Sequence, residues 1–142
     1  MKRVVITGLG VISPIGNDIN TFWNNAKNGV CGIGEITAYS TEGMAIKLAA
    51  EVKDFNAERF CQFALAAAQQ AVKDSNIEGN VDSSRLGVYV GSGIGGINTF
   101  VNECTKMNEE GANRVSPLFI PMLISKIAAG NIAISHKAEG PC

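Results

Sequence analysis

A single histidine, His136, stands among the 142 residues, so no two-histidine catalytic or metal-binding arrangement can be assembled from this chain alone. Its place near the end of a helical stretch suits a solvated side chain. Four cysteines, Cys31, Cys61, Cys104 and Cys142, are widely separated, with neither the CxxC pairs of a zinc site nor the density of a secreted disulfide scaffold. They read as reduced thiols. Cys61 and Cys104 fall on helix faces and suit core packing. Cys142 is the last residue, with no helix amino terminus or base beside it to lower its pKa and make it a nucleophile. No metal and no cofactor are expected.

Two glycine clusters could do other chemistry. Gly8-Leu9-Gly10 follows an apolar run, where a dinucleotide fingerprint would begin. The third glycine of that fingerprint would fall at Ser13, and Pro14 interrupts the helix that should carry a pyrophosphate. The short-chain reductase variant would need glycines at Ile12 and Pro14, so a nicotinamide-dependent reductase is disfavoured. Gly91-Ser92-Gly93-Ile94-Gly95-Gly96 could cradle a phosphate through its amides but lacks the Lys-Ser/Thr of a P-loop. It reads instead as a strand-to-helix turn in which glycine permits positive φ and close backbone approach. Ile94, a lone branched residue among glycines, either fills a core or sits in a mobile loop facing an apolar ligand.

The elements that would position these residues are those of an α/β layer. Val4-Val5-Ile6-Thr7 suits a buried parallel strand. Asn17 or Asp18 caps a helix from about Ile19, with Phe22, Trp23 and Ala26 on one face and Asn28-Gly29 as its stop. Residues 47–52 read as a strand. From Arg59 a helical period sets in, with Phe60, Phe63, Ala64, Ala67, Ala71 and Val72 on one face and Gln62, Gln69, Gln70 and Lys73 mostly on the others. The alanines Ala66 to Ala68 suggest close approach from more than one direction. Leu86-Gly87-Val88-Tyr89-Val90 is the clearest buried strand and leads into the second glycine cluster. Asn98 to Glu110 reads as a helix with Phe100, Val101 and Cys104 on one side. A further segment starts at Ser116-Pro117, a helix can begin at Pro121, and Met122 to Ile134 is apolar enough to be buried.

Length and composition set the bounds. A chain of 142 residues can bury roughly 68–70% of the surface its unfolded form exposes. Aromatic residues make up 6% and glycines number 16, so packing relies on small and branched aliphatic side chains. Twelve basic and thirteen acidic residues, with no basic cluster, make nucleic acid an unexpected partner. No apolar run approaches the ~18 residues of a membrane span and no signal peptide is evident, so no membrane association and a cytoplasmic location are expected.

Several blocks together are more specific than any one glycine pattern. Val4-Val5-Ile6-Thr7-Gly8-Leu9-Gly10, Ser13-Pro14-Ile15-Gly16, the Trp23 helix, Val52-Lys53-Asp54-Phe55, the Gly91 to Gly96 cluster and Ser116-Pro117-Leu118-Phe119-Ile120-Pro121 resemble, in order and spacing, the start of the elongating β-ketoacyl-acyl-carrier-protein synthases of type II. The resemblance runs from Met1 to Cys142. It implies an α/β, thiolase-like fold, in which two similar halves form five αβαβα layers. Residues 1–142 would be an incomplete amino-terminal half-domain.

The same resemblance implies a fatty-acid-elongating acyltransferase that works as a homodimer with acyl-carrier protein. In that family a cysteine at a helix amino terminus takes up the acyl chain, and two histidines assist decarboxylation and condensation. By this pattern the nucleophile follows Cys142 by about seven residues, so Cys142 is not the nucleophile, no catalytic residue lies in 1–142, and the isolated chain is inactive. Gly93 and Ile94 match the gate of the acyl pocket, and Phe119 and Ile120 match residues that reach across the dimer interface toward the partner's pocket. Between Asn56 and Phe60 the family has a longer charged segment, and roughly ten residues are missing here by comparison with that pattern. A non-catalytic partner subunit resembling a chain-length factor is the alternative reading.

Overall fold

The computed structural model describes residues 3–53 and 59–142. The segment expected to be shortened, between Asn56 and Phe60, falls mostly outside them. The chain divides into two compact units, one formed by Met1–Phe55 with Ala66–Asn76, the other by Asn56–Leu65 with Ile77–Cys142.

In the first unit, helix α1 spans Ile19–Lys27. The Asp18 carboxylate caps it by accepting from the Thr21 amide at 2.9 Å, which satisfies one of the donors a helix start leaves unpaired. Asn28 closes it and Gly29 follows at a φ of +67°, so both expected boundaries hold. The expected inner face is corrected: Phe22 and Asn25 are half-buried, whereas Trp23 and Ala26 are exposed. Asn25 donates to the Ile15 carbonyl at 2.7 Å, and the Trp23 ring instead lies under the Lys27 ammonium at 5.9 Å.

Strands β1 (Ile33–Glu35) and β2 (Leu48–Ala50) form an antiparallel pair with Ile33 opposite Ala50 and Glu35 opposite Leu48. The expected strand at residues 47–52 is therefore present but shorter. That at Val4-Val5-Ile6-Thr7 is absent: the segment has no ladder partner among the described residues, and Val4 and Ile6 are 92% and 82% exposed. A strand exists only where another backbone supplies its hydrogen bonds, which an apolar run cannot guarantee by itself.

Helix α2 spans Arg59–Ser75, and its Ala66–Ser75 part belongs to the first unit. Gly10 lies against this part so closely that a Cβ there would collide with the Ala67 carbonyl. Close approach is thus the service this glycine performs. Gln70 is half-buried, contrary to its expected outward place: it accepts from the Val11 amide at 3.1 Å and donates to the Asn17 carbonyl at 2.7 Å.

The second unit holds α3 (Ile97–Glu110), the short α4 (Phe119–Leu123) and α5 (Ile127–Ser135). Ala128, Ala129 and Ile132 of α5 are buried, as the apolar composition predicts, but the apolar stretch is broken by a turn, and Ile134 is 80% exposed. Pro121 lies inside α4, where the first turn has no partner for its missing amide hydrogen. Leu86-Gly87-Val88-Tyr89-Val90 is again no strand. The Leu86 amide closes the preceding turn on the Ser83 carbonyl, two further bonds join the run to residues 140–141, Gly140 donating to Leu86 and Val88 donating to Pro141, and Tyr89 is 80% exposed.

Candidate functional site

The glycine cluster, α3 and α4 form one connected piece of the second unit. The Ser92 hydroxyl accepts from the Gly95 amide at 3.1 Å, and Gly95 adopts a φ of +78°, a conformation costly for any residue with a Cβ. Gly96 then caps α3 and donates its amide to the Leu123 carbonyl of α4 at 2.9 Å. A strand-to-helix turn was expected here. The helix follows, while the preceding segment is not a strand.

Along α3 the expected face is replaced by another. Thr99 and Glu103 are the buried residues, whereas Phe100 and Val101 are exposed and Cys104 is half-buried. The Glu103 carboxylate accepts from the Ser116 amide at 2.7 Å and from the Lys106 ammonium at 2.9 Å. The Ser116 amide foremost, and then Lys106, holds its pKa below the ordinary glutamate value. Ser116 in turn opens the turn that leads into α4: its hydroxyl accepts from Leu118 at 3.2 Å and its carbonyl from Phe119 at 2.9 Å. The Phe119 ring stacks on Phe100 with centroids 6.2 Å apart.

Of the residues singled out from the sequence, the structure thus brings the Gly93 and Ile94 turn and the Phe119 and Ile120 helix together through Gly96 and Leu123. Gly93 has open space where a side chain would stand, and Ile94 and Ile120 are 68% and 58% exposed. Ile94 is therefore not core filling. Phe100 and Glu103 were missed as neighbours of this pair. Only the acidic type of Glu103 in a half-apolar helix hinted at a special role.

The remaining reactive side chains are placed elsewhere. His136 caps the end of α5 as its position suggested, but its side chain is not solvated: it is 9% exposed, with Nδ1 2.7 Å from Glu78 Oε1. It lines a recess of about 360 Å³ with Glu78, Ser83 and Lys137. All four cysteines are free thiols, with Cys61 buried and Cys142 exposed. No group of three His, Cys, Asp or Glu side chains comes together among the described residues in a way that could hold a metal. The loop at Gly8 to Gly10 points an amide at a carboxylate, Leu9 donating to Asp74 at 3.0 Å, an unfit setting for a phosphate.

Residues 1–142 match the sequence model of the β-ketoacyl synthase N-terminal domain. The chain belongs to the β-ketoacyl synthase family. It is 46% identical over 153 residues to the 3-oxoacyl-[acyl-carrier-protein] synthase 2 of Staphylococcus aureus (strain COL), which covers 99% of this chain and 37% of that protein. The chain therefore spans 37% of the length of that curated relative. With 153 aligned residues against 142 in the chain, at least 11 positions have no counterpart here, in keeping with a missing internal segment of roughly that size.

Solved structures agree on the fold. The ishigamide ketosynthase/chain length factor superposes with a TM-score of 0.79 at 25% identity, covering 97% of this chain and 38% of its own. A chain from the complex of a type II PKS acyl-carrier protein with its ketosynthase bound to the hexaketide gives a TM-score of 0.75 at 22% identity, covering 94% and 40%. The fold is the α/β, thiolase-like fold of the ketosynthases, represented in part.

Proposed function

We propose that this chain is the amino-terminal half-domain of a cytoplasmic, homodimeric 3-oxoacyl-[acyl-carrier-protein] synthase that elongates fatty acids. The observation that carries this reading is the 46% identity, over 99% of the chain, to a synthase 2. In the reaction a cysteine thiolate attacks the acyl thioester and releases the carrier thiol. Malonyl-carrier protein then loses carbon dioxide, and the resulting carbanion attacks the acyl-enzyme carbonyl, forming the carbon-carbon bond and expelling the cysteine thiolate. On this reading the nucleophile and both histidines follow residue 142.

Residues Gly93, Ile94, Phe119 and Ile120 contribute to the acyl pocket, with Phe119 and Ile120 directed toward a second subunit's pocket. The exposure of Ile94 and Ile120 on adjoining elements supports that role, since an apolar side chain left open beside a glycine turn suits an apolar ligand or subunit. Among the described residues no helix is long and apolar enough to cross a membrane, which fits a protein working on carrier-bound chains. An acyl-carrier protein as partner is supported by the neighbouring ketosynthase complex with its own carrier protein.

The full-length gene product, supplied with acyl- and malonyl-acyl-carrier protein, is expected to release carbon dioxide and form the 3-oxoacyl product, while the 142-residue chain alone forms none. Product from the short chain, or none from the full-length protein, overturns the reading. The likeness to a ketosynthase/chain length factor favours one second reading, a non-catalytic partner subunit. A residue other than cysteine at the nucleophile position of the encoding gene would select it.

A further inference from the structure

Gly96, Phe100 and Glu103 recur along α3 at the spacing of one helix face, and each meets one point of the segment that contains α4. Gly96 holds the Leu123 carbonyl, Phe100 stacks on Phe119, and Glu103 holds the Ser116 amide. The segment from Ser116 to Leu123 is thus clamped at both ends and in the middle on a single helix, whose first residues continue the turn that carries Gly93 and Ile94. Of the three anchors, only Glu103 is a carboxylate, and it is 8% exposed.

Burying a carboxylate costs free energy unless its oxygens are paired, so its retention here calls for partners, and the structure supplies two. They are not equivalent. Lys106 is a near neighbour on the same helix, 47% exposed, and an ion pair of that kind contributes little. The Ser116 amide comes from 13 residues away and belongs to the turn that leads into α4, so this bond sets tertiary position. Ser116 also precedes Pro117, which restricts its backbone to extended conformations and makes the direction of its amide a fixed handle.

We infer that Glu103 is a positioning residue that, by holding the Ser116 amide, fixes α4 and with it Phe119 and Ile120 against the Gly93 and Ile94 turn, and so sets which acyl chains the pocket accepts. The inference rests on the acyl-pocket role proposed above for those four residues. Glu103 touches no acyl chain itself; it acts through the placement of α4.

The test compares two variants of the full-length protein. Glu103→Asp keeps the charge but withdraws the carboxylate by one methylene from Ser116, and Glu103→Gln keeps the reach and one acceptor oxygen while losing the charge. With a short and a long acyl-carrier-protein thioester as alternative substrates, Glu103→Asp is expected to change the long-to-short ratio of kcat/KM by about fivefold or more, chiefly through KM for the long chain, and Glu103→Gln to stay within about twofold of the parent. A uniform loss at both chain lengths, an unchanged ratio in Glu103→Asp, or an equal change in both variants overturns the inference.

Amide hydrogen exchange over residues 116–123 gives a second reading that needs no activity. Loss of protection in Glu103→Asp with retention in Glu103→Gln supports the role, and unchanged protection in both overturns it. If the parent protein fails to condense, that failure counts against the proposed function, while the exchange measurement still decides the role of Glu103 in holding α4.

Discussion

Two glycines show what a single missing methyl group decides. A Cβ at Gly10 would collide with the Ala67 carbonyl, a backbone atom that cannot swing aside, and one at Gly95 would collide with the Leu123 carbonyl while the residue holds a φ of +78°. Gly10→Ala and Gly95→Ala are therefore each expected to destabilise the protein by about 1–3 kcal/mol, the range of an overpacked site, with Gly95→Ala at the upper end because conformational strain adds to the clash. Urea unfolding of both variants checks this, and a loss below about 0.5 kcal/mol at either site contradicts the close approach. For Gly95 a close backbone approach was legible in the sequence as the turn reading of its cluster, whereas for Gly10 the sequence went no further than a failed nucleotide fingerprint. Which backbone each one meets was not legible. Glu103 stayed hidden for the same reason: its decisive partner, Ser116, is 13 residues away, and side-chain type alone does not tell a buried acid from a solvated one.

Helices and strands differed in how far the sequence disclosed them, and the difference is physical. Helix α1 could be bounded at both ends because its signals are local: Asp18 reaches an amide three residues on, and Asn28-Gly29 closes the last turn. The runs at Val4 and Leu86 have strand composition, but whether they form strands depends on a partner elsewhere: among the described residues the Val4 run has no ladder partner, and the Leu86 run has only two backbone bonds to Gly140 and Pro141, too few for a ladder. The cap itself makes a testable element. The Thr21 amide, followed by the Thr21 hydroxyl, keeps the Asp18 pKa below the ordinary value of 3.8. A carboxyl whose pKa is depressed by folding contributes stability that is present above its unfolded pKa and lost as pH falls through the folded one. Asp18→Ala is thus expected to lower Tm by a few degrees at neutral pH, with the gap to the parent protein narrowing as pH falls below about 3.8. Melting curves across that range check it, and a gap that stays constant or widens in acid argues against the charged cap.

At the scale of the molecule, the family and fold were legible because many short blocks lie in the right order, while the amount of buried surface was not. Length alone predicted a sizeable core, yet Cys61, Ala128, Ala129 and Ile132 are the buried apolar residues among those described, and no large side chain is fully buried. Val4 and Ile6 in the first unit, and Tyr89 and Ile134 in the second, leave apolar surface open in each. Scattered exposed aliphatic residues are ordinary, but so many on a chain with so small a core leave little hydrophobic stabilisation and much adhesive surface. The chain spans 37% of its curated relative, and on the half-domain reading proposed above the exposed strand-like runs are surface for further chain to cover. The 142-residue chain prepared alone is therefore expected to bind a hydrophobic dye strongly and to sediment as species that grow with concentration, and the full-length protein to do neither to the same degree. Sedimentation velocity with dye fluorescence at matched concentrations separates the cases. A 14.9 kDa monomer without dye binding would mean that the short chain closes its own apolar surface, and that the open positions of Val4, Ile6, Tyr89 and Ile134 are not those it takes in solution.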